Sequence, residues 1–259
     1  MANLHTEDKK SRPSFAWSFF LPKNNIMKIK LKDKNLEMTV NSYGAYIEKF
    51  TKDKKPIFFP KLLIKIKDEL KTRGGMHPCL PNFGKSEIKN LAQHGFGRVS
   101  FWDIEEKSEN SIKFKLEGKG EYENTSYYIE YKIENSSLKI DLKIKNLSDK
   151  DLPIAPGFHP YFYVDKNFKI KDVKLEKINL EETYFLKEKK AYLESKYFNI
   201  MIENENFEEF AIWTDFMGEY LCLEPCFNGP SFTKKLNNPY ILKRGQDFEE
   251  KIKISIKEK

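Results

Sequence analysis

The chain has 259 residues, which suits one large all-β domain or two small domains. With 14% aromatic and 33% charged residues and only 12 glycines, its composition excludes global disorder. The formal charge of +7 comes from 46 basic and 39 acidic residues that are interspersed, without a dense arginine tract. Nucleic acid is therefore not an expected partner, although a net positive charge attracts small anionic substrates.

Residues 1–26 are predicted to be an N-terminal extension, either a flexible tail or an arm packed onto the body. The segment SFAWSFFLP at 14–22 superficially resembles a signal peptide, but it is short, ends in proline and lacks a small-residue cleavage site. No stretch is long enough to span a bilayer. The odd number of cysteines, three, favours a reducing compartment. We expect a cytoplasmic protein with no membrane partner.

From residue 27 onward, apolar and charged residues alternate, which is typical of half-buried antiparallel strands. Helical spacing is rare, and no repeat or linker divides the chain. Residues 27–259 are therefore predicted to form a single large antiparallel β-sandwich of the all-β class. The alternating segments are 26–33, 36–43, 46–53, 111–120, 125–134, 137–146, 168–180, 209–215, 219–225 and 248–259.

Four segments interrupt this lysine-rich alternation. They contain three of the four histidines and all three cysteines, so their clustering is the main functional signal in the sequence. These segments are TRGGMHPCLPNFGK at 72–85, LAQHGFGRVSFWDI at 91–104, GFHPYFYV at 157–164 and LCLEPCFNGPSF at 221–232.

Thiol, metal and phosphate-loop chemistry are weak hypotheses for these segments. Each cysteine lies in an apolar context, where a thiol is usually a small buried hydrophobe. A zinc site from His77, Cys79, Cys222 and Cys226 lacks a compact knuckle with a matching second pair. GGMHP at 74–78 lacks the phosphate-loop pattern and a following helix. We therefore predict no metal and no cofactor.

A histidine and a carboxylate remain, His159 and Glu224, each beside a proline at a strand end. The neighbours of Glu224 are mostly apolar, so partial desolvation is expected to raise its pKa towards the range of a general base. One acid and one base without a metal suit a simple proton-transfer reaction.

The motifs GGMHPCLPNFG, QHGFGR, GFHPYF and CLEP, in this order, resemble the galactose mutarotase (aldose 1-epimerase) family. The resemblance extends from about residue 27 to the C-terminus. It implies a twisted β-sandwich with a sugar site on a concave sheet face, and interconversion of the α and β anomers of an aldose. By the same resemblance, Glu224 matches the general base that deprotonates the anomeric hydroxyl, and His159 matches the general acid that protonates the ring oxygen.

The resemblance also suggests substrate-binding residues. His94 matches the histidine that holds the sugar near the ring oxygen, and Arg98 matches the arginine of the same motif. Lys85 stands where many relatives have arginine, and the family's sugar-binding aspartate matches no residue. Arg73 and Arg98 resemble phosphate-binding arginines of the hexose-6-phosphate epimerase branch.

Three functions therefore remain open. The first is an aldose 1-epimerase that acts on a free aldohexose. The second is a hexose-6-phosphate 1-epimerase, and the third is a carbohydrate-binding protein without turnover, although such a protein would need neither proton carrier. The expected partner is a small sugar or sugar phosphate, and the expected assembly is a monomer or homodimer.

Overall fold

The computed structural model describes residues 26–66, 68–87 and 89–259. The predicted extension at 1–26 lies outside this range except for its last residue, Ile26. Within the described residues, the regular secondary structure consists almost entirely of antiparallel strands. In chain order these are β1 (Lys28–Asp33), β2 (Leu36–Asn41), β3 (Tyr46–Lys52), β4 (Lys55–Pro56), β5 (Leu62–Ile66), β6 (Glu69–Arg73), β7 (Met76–Cys79), β8 (Asp103–Lys107), β9 (Ser111–Glu117), β10 (Thr125–Glu134), β11 (Ser137–Asn146), β12 (Leu152–Ile154), β13 (Gly157–Tyr163), β14 (Lys169–Ile170), β15 (Tyr184–Leu186), β16 (Lys190–Glu194), β17 (Phe198–Asn204), β18 (Glu209–Trp213), β19 (Tyr220–Cys226), β20 (Tyr240–Leu242) and β21 (Asp247–Glu258).

Two large sheets form the body. The first sheet has the strand order β1-β2-β3-β7-β13-β19-β18-β15, with β4 paired to β3. The second sheet has the order β14-β16-β17-β21-β11-β10-β9-β8. A single buried apolar cluster contains side chains from both sheets, including Phe50 and Phe162 from the first and Phe114 and Ile254 from the second. The predicted all-β sandwich is therefore confirmed.

The second sheet shows the alternation that the sequence predicts. In β11 the odd-numbered residues from Lys139 to Lys145 point to solvent, and the even-numbered residues are buried. Ten consecutive residue pairs join β10 to β11, because the alternating pattern fixes the register of strands that bury one face. This sheet supports the core.

The strand prediction is wrong at one place and incomplete at several. The segment 168–180 contains only β14 and a short 3-10 helix at Leu175–Lys177. The hairpins β5–β6 and β16–β17 are among the strands that were not predicted. β5 and β6 are largely exposed, whereas β16 and β17 alternate between exposed and buried residues. No helix among the described residues is long and apolar enough to cross a membrane.

Candidate active site

Three polar residues lie in a row across the centre of the first sheet. His159 in β13 is opposite His77 in β7. On its other side, β13 pairs with β19, where Gly157 is opposite Cys226 and Tyr161 is opposite Cys222. This register places His159 opposite Glu224. Alternation along β13 sends Phe158 and Phe162 into the main core, so the histidine projects from the opposite face. The row His77, His159 and Glu224 therefore shares one face of the sheet.

This row lies at the bottom of a cavity of about 920 Å³. The hairpin β5–β6 and the loops that follow β7 and β19 form its walls, which is why β7, β13 and β19 are almost entirely buried on both faces. All six predicted catalytic and substrate-binding residues line this cavity; they are Arg73, Lys85, His94, Arg98, His159 and Glu224.

His159 and Glu224 form a close, buried pair. The His159 Nε2 and Glu224 Oε2 atoms are 3.4 Å apart, with side-chain exposures of 8% and 3%. His159 Nδ1 and Glu224 Oε2 have no hydrogen-bond partner among the described residues. The ring of Tyr161 stacks on the His159 ring at 4.7 Å and fixes its plane. Both groups are therefore held in position with polar atoms available to a ligand.

Burial controls the protonation of this pair. It raises the pKa of Glu224 well above its ordinary value, because the carboxylate is poorly solvated. Burial lowers the pKa of His159 well below its ordinary value, and the nearby residues His77, His94 and Arg98 lower it further. Both shifts favour the form in which Glu224 carries the proton and His159 is neutral, and this proton can be exchanged with a bound molecule.

Two further histidines form a wall beside the pair. The ring centroid of His94 is 5.0 Å from that of His159 and 5.6 Å from that of His77. His94 and Gly95 have φ values of 64° and 66°, and a Cβ on Gly95 would lie 2.0 Å from the Leu80 carbonyl oxygen, so this turn requires glycine. Burial and the charge of Arg98 lower the pKa of His94 to about 4.

Arg73 has a compensating partner that sequence reasoning missed. Its Nε and Nη2 atoms lie 2.9 Å and 2.8 Å from Asp215 Oδ2, and Nε also donates to the Tyr220 hydroxyl at 3.2 Å. Tyr220 in turn donates to Asp215. Burial opposes ionisation of Asp215, but hydrogen bonds from Tyr220 and Arg73 keep its pKa below the ordinary value. Arg73 thus lines the cavity as half of an ion pair.

Arg98 and Lys85 line the cavity without such a partner. Arg98 lies in a 3-10 helix at Gly97–Val99, directly after the His94 turn. Lys85 follows Gly84 on the loop after β7. Neither forms an ion pair with an acidic side chain of the described residues.

The three cysteines are buried and free of disulfides. Burial raises the pKa of all three thiols, so they stay protonated and are poor nucleophiles. The weak zinc set from the sequence is not brought together. Among the described residues, the atoms that approach one another within 4.8 Å as potential metal ligands belong to His159, Cys222 and Glu224.

Comparison with known proteins agrees with this architecture. The sequence model of the family described as Aldose 1-epimerase matches residues 27–217. The chain belongs to the aldose 1-epimerase family. The predicted family is therefore confirmed, and the activity in the family's name is an isomerase reaction on sugars. No match was found among the curated proteins.

Solved structures show the same fold at low sequence identity. The protein Slr1438 from Synechocystis sp. PCC 6803 has a TM-score of 0.75 at 17% identity, and the match covers 100% of both chains. A galactose mutarotase-like protein from Lactobacillus casei ATCC 334 has a TM-score of 0.72 at 16% identity, covering 89% of this chain and 100% of that one. A galactose mutarotase related enzyme from Lactobacillus acidophilus has a TM-score of 0.71 at 16% identity, covering 89% and 97%.

Proposed function

We propose that this protein is an aldose 1-epimerase that interconverts the α and β anomers of a free aldohexose. The observation that carries the proposal is the buried pair of His159 and Glu224, 3.4 Å apart at the bottom of a cavity of about 920 Å³, which has room for a sugar. Ring opening of an aldose requires one proton to leave the anomeric hydroxyl and another to reach the ring oxygen. A pair that holds one proton performs both transfers without changing its total charge.

The proton balance assigns a role to each group. In ring opening, the Glu224 carboxylate accepts the proton of the anomeric hydroxyl while the His159 imidazolium gives its proton to the ring oxygen. The C1–O5 bond breaks, and the C1–O1 bond becomes the aldehyde carbonyl. The pair is left as carboxylic acid and neutral imidazole, the form that burial favours. Rotation about the C1–C2 bond and reversal of both transfers give the other anomer.

A free sugar is the better substrate candidate because of Arg73. Its charge is already compensated by Asp215, which weakens it as a phosphate ligand. The alternative is a hexose 6-phosphate, and it is supported by Arg98 and Lys85, which line the cavity without acidic partners among the described residues. A binding protein without turnover is less well supported, since binding alone does not need two buried proton carriers.

Anomer equilibration followed by polarimetry tests the proposal on purified full-length protein. Fresh α-glucose, α-galactose and glucose 6-phosphate are the substrates. We expect kcat/KM for one of the free hexoses to exceed that for glucose 6-phosphate by about tenfold or more, because a phosphate gains no uncompensated bidentate arginine at Arg73. A preference for glucose 6-phosphate that Arg98→Ala abolishes would establish the phosphate alternative, and a rate no faster than buffer for every sugar would remove the enzyme proposal.

We also propose a cytoplasmic, reducing setting. It is supported by three buried cysteines that form no disulfide within the described part of the chain. A monomer or homodimer remains the proposed assembly, and residues 1–26 remain a proposed extension of the domain at 27–259. Light scattering distinguishes a monomer from a homodimer. Comparison of the full chain with the chain from residue 27 tests whether residues 1–26 are an extension of the domain.

A further inference from the structure

We propose that His77 hydrogen-bonds the 6-hydroxyl group of the bound aldohexose and sets the preference for sugars that carry this hydroxyl. The inference rests on the proposed function, because it uses Glu224 at the anomeric hydroxyl and His159 at the ring oxygen. The sequence motifs assign no such role to His77.

The order of residues across the sheet carries the argument. Neighbouring strands lie about 4.8 Å apart, so side chains opposite one another form a row with that spacing. The row runs from Glu224 through His159 to His77, with the His159 and His77 ring centroids 5.0 Å apart.

The atoms of a pyranose follow the same order. The ring oxygen is bonded to C1, which carries the anomeric hydroxyl, and to C5, which carries the hydroxymethyl group. A path from the anomeric hydroxyl across the ring oxygen therefore reaches C5, C6 and the 6-hydroxyl. With the anomeric hydroxyl over Glu224 and the ring oxygen over His159, the hydroxymethyl group extends towards His77.

His77 has the chemistry and the rigidity for this contact. Its Nδ1 lies 3.4 Å from the Pro78 carbonyl oxygen, and the tautomer that donates along this long hydrogen bond leaves Nε2 as an acceptor. The ring lines the cavity and is confined by the rings of Tyr46 at 5.4 Å, His94 at 5.6 Å and His159 at 5.0 Å. Burial lowers the pKa of His77 well below its ordinary value, so it remains a neutral acceptor for a hydroxyl group.

A thermodynamic cycle that combines substitution of His77 with removal of the 6-hydroxyl from the substrate tests the contact. Anomer equilibration of α-glucose and α-6-deoxyglucose, which lacks only the 6-hydroxyl oxygen, is measured with the wild type, His77→Phe and His77→Gln. We expect the wild type to prefer glucose by about three- to tenfold in kcat/KM, the range expected for one hydrogen bond between neutral groups. His77→Phe should reduce this ratio to about one, and His77→Gln, whose amide can replace the bond, should retain part of it.

The ratio of the two sugars does not depend on the folded fraction of a variant, so partial misfolding does not obscure the result. Tyr46→Phe is the matched control. It alters a ring that touches His77, but the Tyr46 hydroxyl already donates to the Gly74 carbonyl oxygen at 2.7 Å, so the preference should not change. Equal ratios in the wild type and His77→Phe would overturn this inference while leaving the epimerase activity intact. Absence of activity on either sugar in the wild type would overturn the proposed function and this inference with it.

Discussion

The two sheets use the same alternating backbone for different purposes. In β11 of the second sheet, charged side chains face water and apolar side chains face the core. In β13 and β19 of the first sheet, both sets of side chains are buried, and one set includes His159 and Glu224. The second sheet directs most of its charged side chains to solvent and surface ion pairs, such as Lys143 with Asp247. Buried polar atoms without protein partners occur in both sheets, but those of His159 and Glu224 in the first sheet belong to residues that line the cavity. Such an arrangement opposes stability, and a bound ligand explains it.

Removal of the catalytic pair should have the largest effect on activity. Glu224→Gln keeps the shape of the side chain but removes the base, and His159→Asn removes the acid. Each should lower kcat by about 10² or more, and the double variant should be little worse than the poorer single variant, because neither group alone completes the proton path. Polarimetry with the preferred sugar measures these rates.

Stability should respond in the opposite sense to activity. Glu224→Gln removes a buried ionisable group whose Oε2 has no protein partner, so Tm should stay the same or rise. Circular dichroism provides that control. Near-normal turnover in a folded single variant would exclude the proposed mechanism.

The sequence predicted the fold class, and it predicted candidate site residues that the structure brings together in one cavity. His159 and Glu224 were found because they interrupt a regular alternation and belong to ordered motifs, and all six predicted residues line one cavity. His77 was considered only as a zinc ligand, since its position opposite His159 depends on a pairing between strands about 80 residues apart. Asp215 ends a predicted strand, and nothing in the sequence links it to Arg73, from which it is 142 residues distant.

The failures in strand prediction have a related cause. The segment 168–180 alternates like a strand, but only Lys169–Ile170 finds a neighbouring edge, at β16. Alternation reports which residues can be half-buried, whereas a strand also needs a partner for its backbone hydrogen bonds. Partner strands are determined by the tertiary fold, which local patterns do not contain.

The ion pair of Arg73 offers a second test, with a moderate effect. Asp215→Asn keeps the shape of the side chain but removes the charge that compensates Arg73, which would then face the cavity as a free cation. The ratio of kcat/KM for glucose 6-phosphate to that for glucose should rise by about tenfold, as expected for a charge-assisted contact. Polarimetry with both sugars measures the ratio.

Glu203→Gln is the matched control, since it removes a carboxylate of the second sheet that pairs with Lys190, and neither residue lines the cavity. It should leave the ratio unchanged. An unchanged ratio in Asp215→Asn would show that Arg73 does not reach the C6 substituent. An equal loss of activity on both sugars would instead place Asp215 on the sugar itself.

The pH profile should show a small effect over the neutral range. Burial lowers the pKa of His159 well below 6.5 and raises that of Glu224 well above 4.5. The active form of the pair carries one proton. This form is lost when the pair takes up a second proton, at a pH below the ordinary histidine pKa. It is also lost when the pair releases its only proton, at a pH above the ordinary glutamate pKa. We expect no loss of kcat/KM at the ordinary pKa values of these two groups, about 6.5 for histidine and about 4.5 for glutamate. A fall in activity through an ionisation near 6.5 would show that His159 is solvated like a surface histidine.

The solvent-facing side of the second sheet should tolerate changes that its core-facing side does not. Lys139 in β11 is half-exposed and pairs with Glu134 at 2.6 Å, but its cross-strand neighbours are Lys132 and Lys253. Like charges opposite one another offset the ion pair, so Lys139→Ala should shift Tm by less than about 2 °C and leave kcat unchanged. Ile140→Ala, one residue further and fully buried, should lower Tm by on the order of 10 °C because it leaves a cavity between the sheets. Thermal unfolding monitored by circular dichroism compares the two variants. A similar loss of Tm in both would mean that the lysine side of this sheet is covered by another surface, and that the contrast between an exposed supporting sheet and a buried functional one is incorrect.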